Sequence, residues 1–166
     1  HPLKKNNKLE AGWKSSFVKA DNDLAFFNES NGGSVFDSLQ SNHFVYRENI
    51  NALYVIASGE RKNLSLQLGL RAEQTIAAGD QLSNKISFRR NYWQLFPSFF
   101  VSKKINSLHD IGVSFSRRIQ RPTYEQLNPF KFFLDPSTYK EGNPYLLPQN
   151  SYLFELTHTF KGQFVT

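Results

Sequence analysis

The side chains able to do chemistry are plentiful in this chain, but their spacing assembles no known reaction centre. The four histidines, His1, His43, His109 and His158, show neither i, i+4 pairing nor any other metal-ligand spacing, so they are expected at strand ends and on the surface. There is no Cys, which excludes a disulfide framework and a thiolate metal site. No Gly-x-Ser-x-Gly elbow and no His-Glu-x-x-His element occurs, and Ser65, Ser98 and Ser114 read as ordinary strand or turn residues. Glu48, Glu73 and Glu155 fall in different periodic segments, so a carboxylate pair for acid–base work would need the fold to bring them together. Gly32-Gly33 and Gly142 lack the following Lys-Ser/Thr of a phosphate cradle and read as turn glycines. The expectation is a protein that is not an enzyme, with no cofactor and no metal.

Ligand contact is the remaining chemistry, and residues 119–150 are its best location. A connection of that length usually carries function or is disordered. Tyr124, Phe130, Phe132, Phe133, Tyr139 and Tyr145 make it too apolar for a solvated tail, and Pro122, Pro129, Pro136, Pro144 and Pro148 stiffen it. It reads as a self-packed segment with a short helix-like turn at Tyr124–Leu127. Tyr124, Tyr139 and Tyr145 are the candidates for stacking on or hydrogen bonding to a ligand, although packing alone would also account for them. Arg117, Arg118 and Arg121 either attract an anionic ligand or lipopolysaccharide at the outer rim, or pair with loop carboxylates such as Glu125 and Asp135. Pairing is the simpler expectation, and Arg118 and Arg121 stand as further ligand-contact candidates.

The elements that must position these residues are β-strands. In residues 63–76, Leu64, Leu66, Leu68, Leu70, Ala72 and Ile76 share one parity, and Ser65, Gln67, Gly69, Arg71, Glu73 and Thr75 share the other. This is the period of a two-sided strand. At roughly 3.3 Å per residue it spans about 45 Å, far beyond the usual strand of a globular sheet. Residues 8–19 set Leu9, Ala11, Trp13 and Phe17 against Glu10, Gly12, Lys14 and Ser16. Residues 91–101 align Trp93, Leu95, Pro97, Phe99 and Val101; residues 110–118 align Ile111, Val113 and Phe115; residues 151–160 align Tyr152, Phe154, Leu156 and Phe160. Residues 43–57 are less regular. Phe44, Tyr46, Ile50, Ala52, Tyr54 and Ile56 form the apolar face there, Glu48 intrudes on it, and Leu53 and Val55 fall on the polar one, which predicts a register-resetting bulge. A further strand is expected to start at 163–166.

Connection lengths alternate. Residues 20–42, 77–90 and 119–150 are long, whereas 58–62, 103–109 and 161–162 are short. In an up-and-down sheet this sends every long loop to one end and every tight turn to the other, the arrangement of outer-membrane barrels. Mean hydropathy is −0.50, and no stretch approaches the apolar run of about 20 residues that a transmembrane helix needs. A membrane barrel escapes that test because its two faces average out. The 16 Phe, 7 Tyr and 2 Trp suit strands and interfacial girdles, with Trp13, Trp93 and Tyr92 as girdle candidates. The net charge of +6 raises nucleic-acid binding, but the cations are spaced pairs such as Lys4-Lys5, Arg61-Lys62 and Arg89-Arg90 rather than one patch, and no nucleic-acid partner is expected.

The fold expected for residues 1–166 is thus all-β, an antiparallel up-and-down meander of six to seven strands forming part of a larger transmembrane barrel. Closure takes about eight strands in the smallest single-chain barrels. The opening His1-Pro2-Leu3-Lys4, with no leader before it, accordingly reads as mid-protein. The remainder of the barrel and outer-membrane lipid are the partners this requires.

The stretch from Phe115 to Phe130, Phe-Ser-Arg-Arg-Ile-Gln-Arg-Pro-Thr-Tyr-Glu-Gln-Leu-Asn-Pro-Phe, resembles the C-terminal half of TonB-dependent receptor barrels. Glu141-Gly142-Asn143-Pro144-Tyr145-Leu146-Leu147-Pro148 is similar to that family's Gly-Asn-Pro-x-Leu-x-Pro element, and Tyr152–His158 to the strand after it. Upstream, Gly69-Leu70-Arg71-Ala72-Glu73-Gln74-Thr75 and Leu95-Phe96-Pro97-Ser98 are similar to two of its strand motifs. The matches occur in the family's order over nearly the whole chain. The resemblance implies a bacterial outer-membrane receptor that takes up a ligand through the inner-membrane TonB complex. The plug domain and TonB-contacting segment of that family find no match within residues 1–166, so the plug and the TonB complex are partners implied for the rest of the protein. A non-transporting structural or adhesive barrel, or a soluble β-sheet ligand-binding module, are the alternatives; the ligand is not specified.

Overall fold

The computed structural model describes residues 2–3, 6–30, 32–135 and 137–161. His1, Lys4-Lys5, Pro136 and the strand start expected at 163–166 lie outside the described residues. Along the chain run β1 (Pro2–Leu3), β2 (Asn7–Leu24), β3 (Phe27–Ser30), β4 (Gly33–Phe36), β5 (Asn42–Arg61), β6 (Leu64–Gln81), β7 (Ile86–Lys104), β8 (His109–Gln120), α1 (Tyr124–Leu127), β9 (Lys131–Asp135), β10 (Thr138–Glu141) and β11 (Gln149–Phe160). One antiparallel sheet takes the order β1-β2-β5-β6-β7-β8-β11, and β3–β4 and β9–β10 are separate hairpins within two of its connections. Among the described residues the sheet stays open at both edges, as an arc of a larger wall would.

Register decides which face each residue occupies. Trp13 lies opposite Leu53, Leu53 opposite Ala72, and Ala72 opposite Leu95; two rungs further down, Ala57, Leu68, Phe99, Phe115 and Phe154 share a line. This face is apolar yet uncovered: Trp13 is 75% exposed and Leu68 50%. It is bounded above by Ser15, Asn51, Gln74 and Trp93 on one rung, and below by Arg61, Lys103 and His158 on the rung of Leu64. From Leu64 to Gln74 the strand runs roughly 33 Å, or about 25 Å in height at a tilt near 40°, which is the height of the apolar band of a membrane barrel. Above the band, Arg47 and Arg89 both pair with Asp80, and Asp21 takes Lys19 and His43, as befits a surface returning to water.

The opposite face is polar and open at mid-height and covered toward its upper end. Phe44, Tyr46 and Ala77 pack there with Leu127 of α1, and Ala20, Phe88 and Tyr124 close around them. Gly79 makes this possible, since a Cβ at that position would fall inside the ring of Phe88, its cross-strand partner. The connection after β8 therefore folds back over the inner face of the wall.

Three expectations are corrected. Residues 77–90 are no long loop: β6 continues to Gln81 and β7 resumes at Ile86, leaving a turn at 82–85 with Lys85 in the left-handed region at φ 55°. Small residues such as Ala77, Ala78 and Gly79 carry little amphipathic contrast, so a paired ladder there looks like a loop. Long connections at the upper end are thus those after β2 and after β8. In β5 the register is continuous, without a bulge, and Leu53 and Val55 face outward while Phe44, Tyr46, Ala52 and Tyr54 face inward. Glu48 shares that inner face and accepts a hydrogen bond from the Tyr46 hydroxyl at 3.0 Å. Tyr92 lies opposite Thr75 on the inner face, so it is no girdle residue, whereas Trp13 and Trp93 stand exposed on the outer one. Pro97 is accommodated because the β7–β8 ladder stops beside it, at Ser98 and Ser116, where a missing N–H costs no pairing.

Candidate functional site

The inner face at mid-height is built from five strands by alternation, except for Arg117, which has the outward parity, lies opposite Tyr152 and reaches the cup from its edge with its guanidinium carbon 5.7 Å from the Tyr152 ring. Lys14 of β2 lies opposite Ala52 of β5, and Tyr54 lies opposite Arg71 of β6, which lies opposite Phe96 of β7. Arg118 follows on β8, two residues beyond the Ser98–Ser116 pair. Lys14, Arg71, Arg117 and Arg118 together with Glu73 line an open cavity of about 500 Å³, with Phe96, Ser98 and Ser116 among its walls. Phe96 is 4% exposed. The Arg71 and Arg117 guanidinium carbons lie 5.0 and 5.8 Å from its ring centre, a stacking that holds planar cations over an apolar base.

Glu73 is the one carboxylate in that lining, and it is fully engaged. Its Oε1 pairs with Arg71 Nε at 2.9 Å and its Oε2 with Arg121 Nη2 at 2.6 Å. Arg121 also donates to the Thr75 hydroxyl, at 3.0 Å through Nη2 and 3.3 Å through Nε. Although desolvation works against its charge, hydrogen bonding and attraction to Glu73 keep Arg121 firmly protonated. Sequence pointed to Glu125 and Asp135 as partners for the arginines; the fold supplies others. Glu125 accepts from the Tyr124 hydroxyl, and Asp135 accepts from the Ser137 hydroxyl and N–H. Arg117 donates to the Leu95 carbonyl at 3.0 Å and to Asn150 at 3.2 Å. Local loop carboxylates were the shorter route, but strand pairing brings β6 beneath residue 121.

Above this cup the connection after β8 is pinned at both sides. α1 carries a capping box between Thr123 and Gln126, which satisfies N–H groups that the first turn leaves orphaned. Gly142 N–H donates to the Asn128 carbonyl at 2.9 Å and Asn143 N–H to that of Gln126 at 2.7 Å. A Cβ on Gly142 would press on the carbonyls of Glu125, Gln126 and Asn128, so only glycine permits the contact. Arg90 on the inner face of β7 donates to the carbonyls of Pro144 and Leu146.

The five candidate residues are therefore dispersed. Arg118 lines the cup and Arg121 braces its carboxylate. Tyr124 packs against the inner core and lines a smaller cavity of about 370 Å³ with Phe130 and Phe132. Tyr139 packs at a tilt against Phe133 beneath Lys131, and Tyr145 is 77% exposed. A larger cavity of about 860 Å³ opens at the upper end among Asp37, Leu39, Asn84, Phe130, Phe133 and Glu141. Sequence reading missed most of its lining because it is assembled from the connection after β2, the β6–β7 turn and the β9–β10 hairpin. Asp37 organises one side: the Asn28 amide, with the N–H groups of Leu39 and Gln40, holds its carboxyl below the usual range.

Histidines that are distant in sequence also meet. His109 Nδ1 and His158 Nε2 lie 2.9 Å apart in nearly parallel rings, a pairing that their spacing along the chain does not reveal. Among the described residues no group of three or more His, Cys, Asp or Glu could hold a metal ion. No helix of the described residues is long and apolar enough to cross a membrane, which leaves crossing by strands open. Residues 1–166 match the family model described as the outer membrane protein beta-barrel family. No curated protein and no solved structure matches the chain.

Proposed function

Because this chain belongs to the outer membrane protein beta-barrel family, and so resides in the bacterial outer membrane, we propose that it forms part of the wall of a TonB-dependent receptor that takes up a ligand from outside the cell. The observation that carries the reading is the inward fold of the connection between β8 and β11. An adhesive or purely structural barrel has no need to lay an aromatic-rich segment over its own lumen. Here Leu127, 2% exposed, sits against Phe44 and Tyr46 on the inner face, and Arg90 anchors the Pro144 and Leu146 carbonyls. The segment thus narrows the mouth above the cationic cup, which is the place where a receptor must choose its ligand.

The resemblance of Phe115–Phe130 and Glu141–Pro148 to TonB-dependent receptors points the same way. Energy coupling is the property that separates a receptor from a non-transporting barrel. The full-length protein in detergent should be retained by the immobilised periplasmic domain of TonB. Absence of retention, at concentrations that retain an authentic receptor, would overturn the uptake reading and favour the structural or adhesive barrel.

A further inference from the structure

We infer that the cup on the inner face receives an anionic small molecule through its carboxylate or phosphate groups. The inference deepens the uptake reading by naming the substrate class, and it rests on that reading for its meaning in the cell. Three inward cations, Lys14, Arg71 and Arg118, and one carboxylate line the cavity, with Arg117 at its edge. Both oxygens of that carboxylate, Glu73, are already taken by Arg71 and Arg121. Lys14 and Arg118 make no ion pair among the described residues, and the Arg117 Nε is buried without a partner. Lys14, Arg71 and Arg118 are exposed to the lumen, and such an excess of cations in a concave surface raises the local concentration of anions.

Chemistry narrows the anion further. Guanidinium groups present forked donors that match carboxylate and phosphate oxygens in pairs. The hydroxyls of Ser98 and Ser116 add neutral donors, and Phe96 supplies a flat apolar base. The volume of about 500 Å³ lies in the range of small-ligand sites. Lys14 and Arg71 stand two strands apart, as do Arg71 and Arg118, roughly 10 Å in each case. A ligand with several oxyanion groups could therefore engage more than one of them at once.

Citrate is a suitable probe, with inorganic phosphate as a smaller anion and glucose as the neutral control. Calorimetric titration of the full-length protein in detergent is expected to show saturable citrate binding, weakened about tenfold or more in K14A/R118A and largely kept in K14R/R118K. Raising the salt should weaken it further, because these cations are open to solvent. Retention of the barrel's heat-modifiable gel mobility verifies that the variants fold, and the single variant R118Q serves if the double variant does not. Citrate binding no stronger than that of glucose, or unchanged in the variants, would overturn the inference. So would a large fall in melting temperature in K14A/R118A without any anion, since the cations would then be holding an acidic segment of the protein itself. Citrate binding without retention by TonB would sink the uptake reading alone; TonB retention without citrate binding would sink only the substrate class.

Discussion

At the scale of single residues, the paired cations around Glu73 separate structural charge from available charge. Arg121 is partly buried and reaches Glu73 and Thr75, so Arg121→Ala should lower unfolding stability by about 1.5–3 kcal/mol. Glu73→Ala should cost about 3 kcal/mol or more, because it leaves Arg121 partly buried without its counter-charge. Urea unfolding of the refolded protein measures both. Losses no larger than that from breaking the exposed Lys8–Glu10 pair would show that the network has no structural weight. Asp37 gives a pH signature. Its carboxyl is held below the ordinary aspartate value by Asn28 and by the Leu39 and Gln40 N–H groups, so its contribution is present above that ordinary value and is lost as pH falls through the lowered one. Tyrosine or loop-probe fluorescence should report loosening of residues 37–41 only below about pH 4, with Asp37→Asn abolishing the transition.

At the scale of elements, two glycines hold aromatic and helical neighbours in place. Gly79→Val would drive Phe88 off the inner core of Phe44, Tyr46 and Ala77, an overpacking expected to cost about 1–3 kcal/mol. The melting temperature of the folded barrel reads it, and an unchanged value would mean that Phe88 has an alternative rotamer with equal packing. Gly142→Ala acts differently, because the ladder of the sheet does not depend on it. It should free the segment around α1 from residues 142–143, detected as faster proteolysis between β8 and β11 with barrel stability little changed. The two substitutions thus distinguish the wall from the segment that lies over it.

At the scale of the whole molecule, the outward apolar band and the inward polar face predict opposite responses to one chemical change. Leu68→Arg places a charge near the middle of the lipid-facing band and should cost about 2–4 kcal/mol, whereas Gln67→Arg on the inner face should be nearly neutral. Refolding into phospholipid bilayers with a denaturant titration checks this. Reversed costs would mean that the sheet presents its faces the other way round, and equal costs that neither face alone meets lipid.

Much of this wall is legible along the chain because strand alternation is local: two residues apart means the same face, wherever the strand is placed. The outer faces of β2, β6, β7 and β8 and the helical turn at Tyr124–Leu127 follow from neighbouring residues alone. What pattern could not decide was β5, where both parities carry apolar side chains and only pairing with Trp13 and Leu70 shows that Leu53 and Val55 face outward. The strand continuing through Ala77–Gln81 was hidden for a related reason, since small residues give no contrast between faces. The cup lay further still from view. Lys14, Arg71 and Arg118 are distant in sequence and meet only because antiparallel register places β2, β6 and β8 within one arc. The Arg121–Glu73 pair likewise exists because the chain after β8 turns back over β6. Sequence by itself determined the architecture through short-range periodicity; tertiary structure alone decided which charges were spent on one another and which were left facing the lumen.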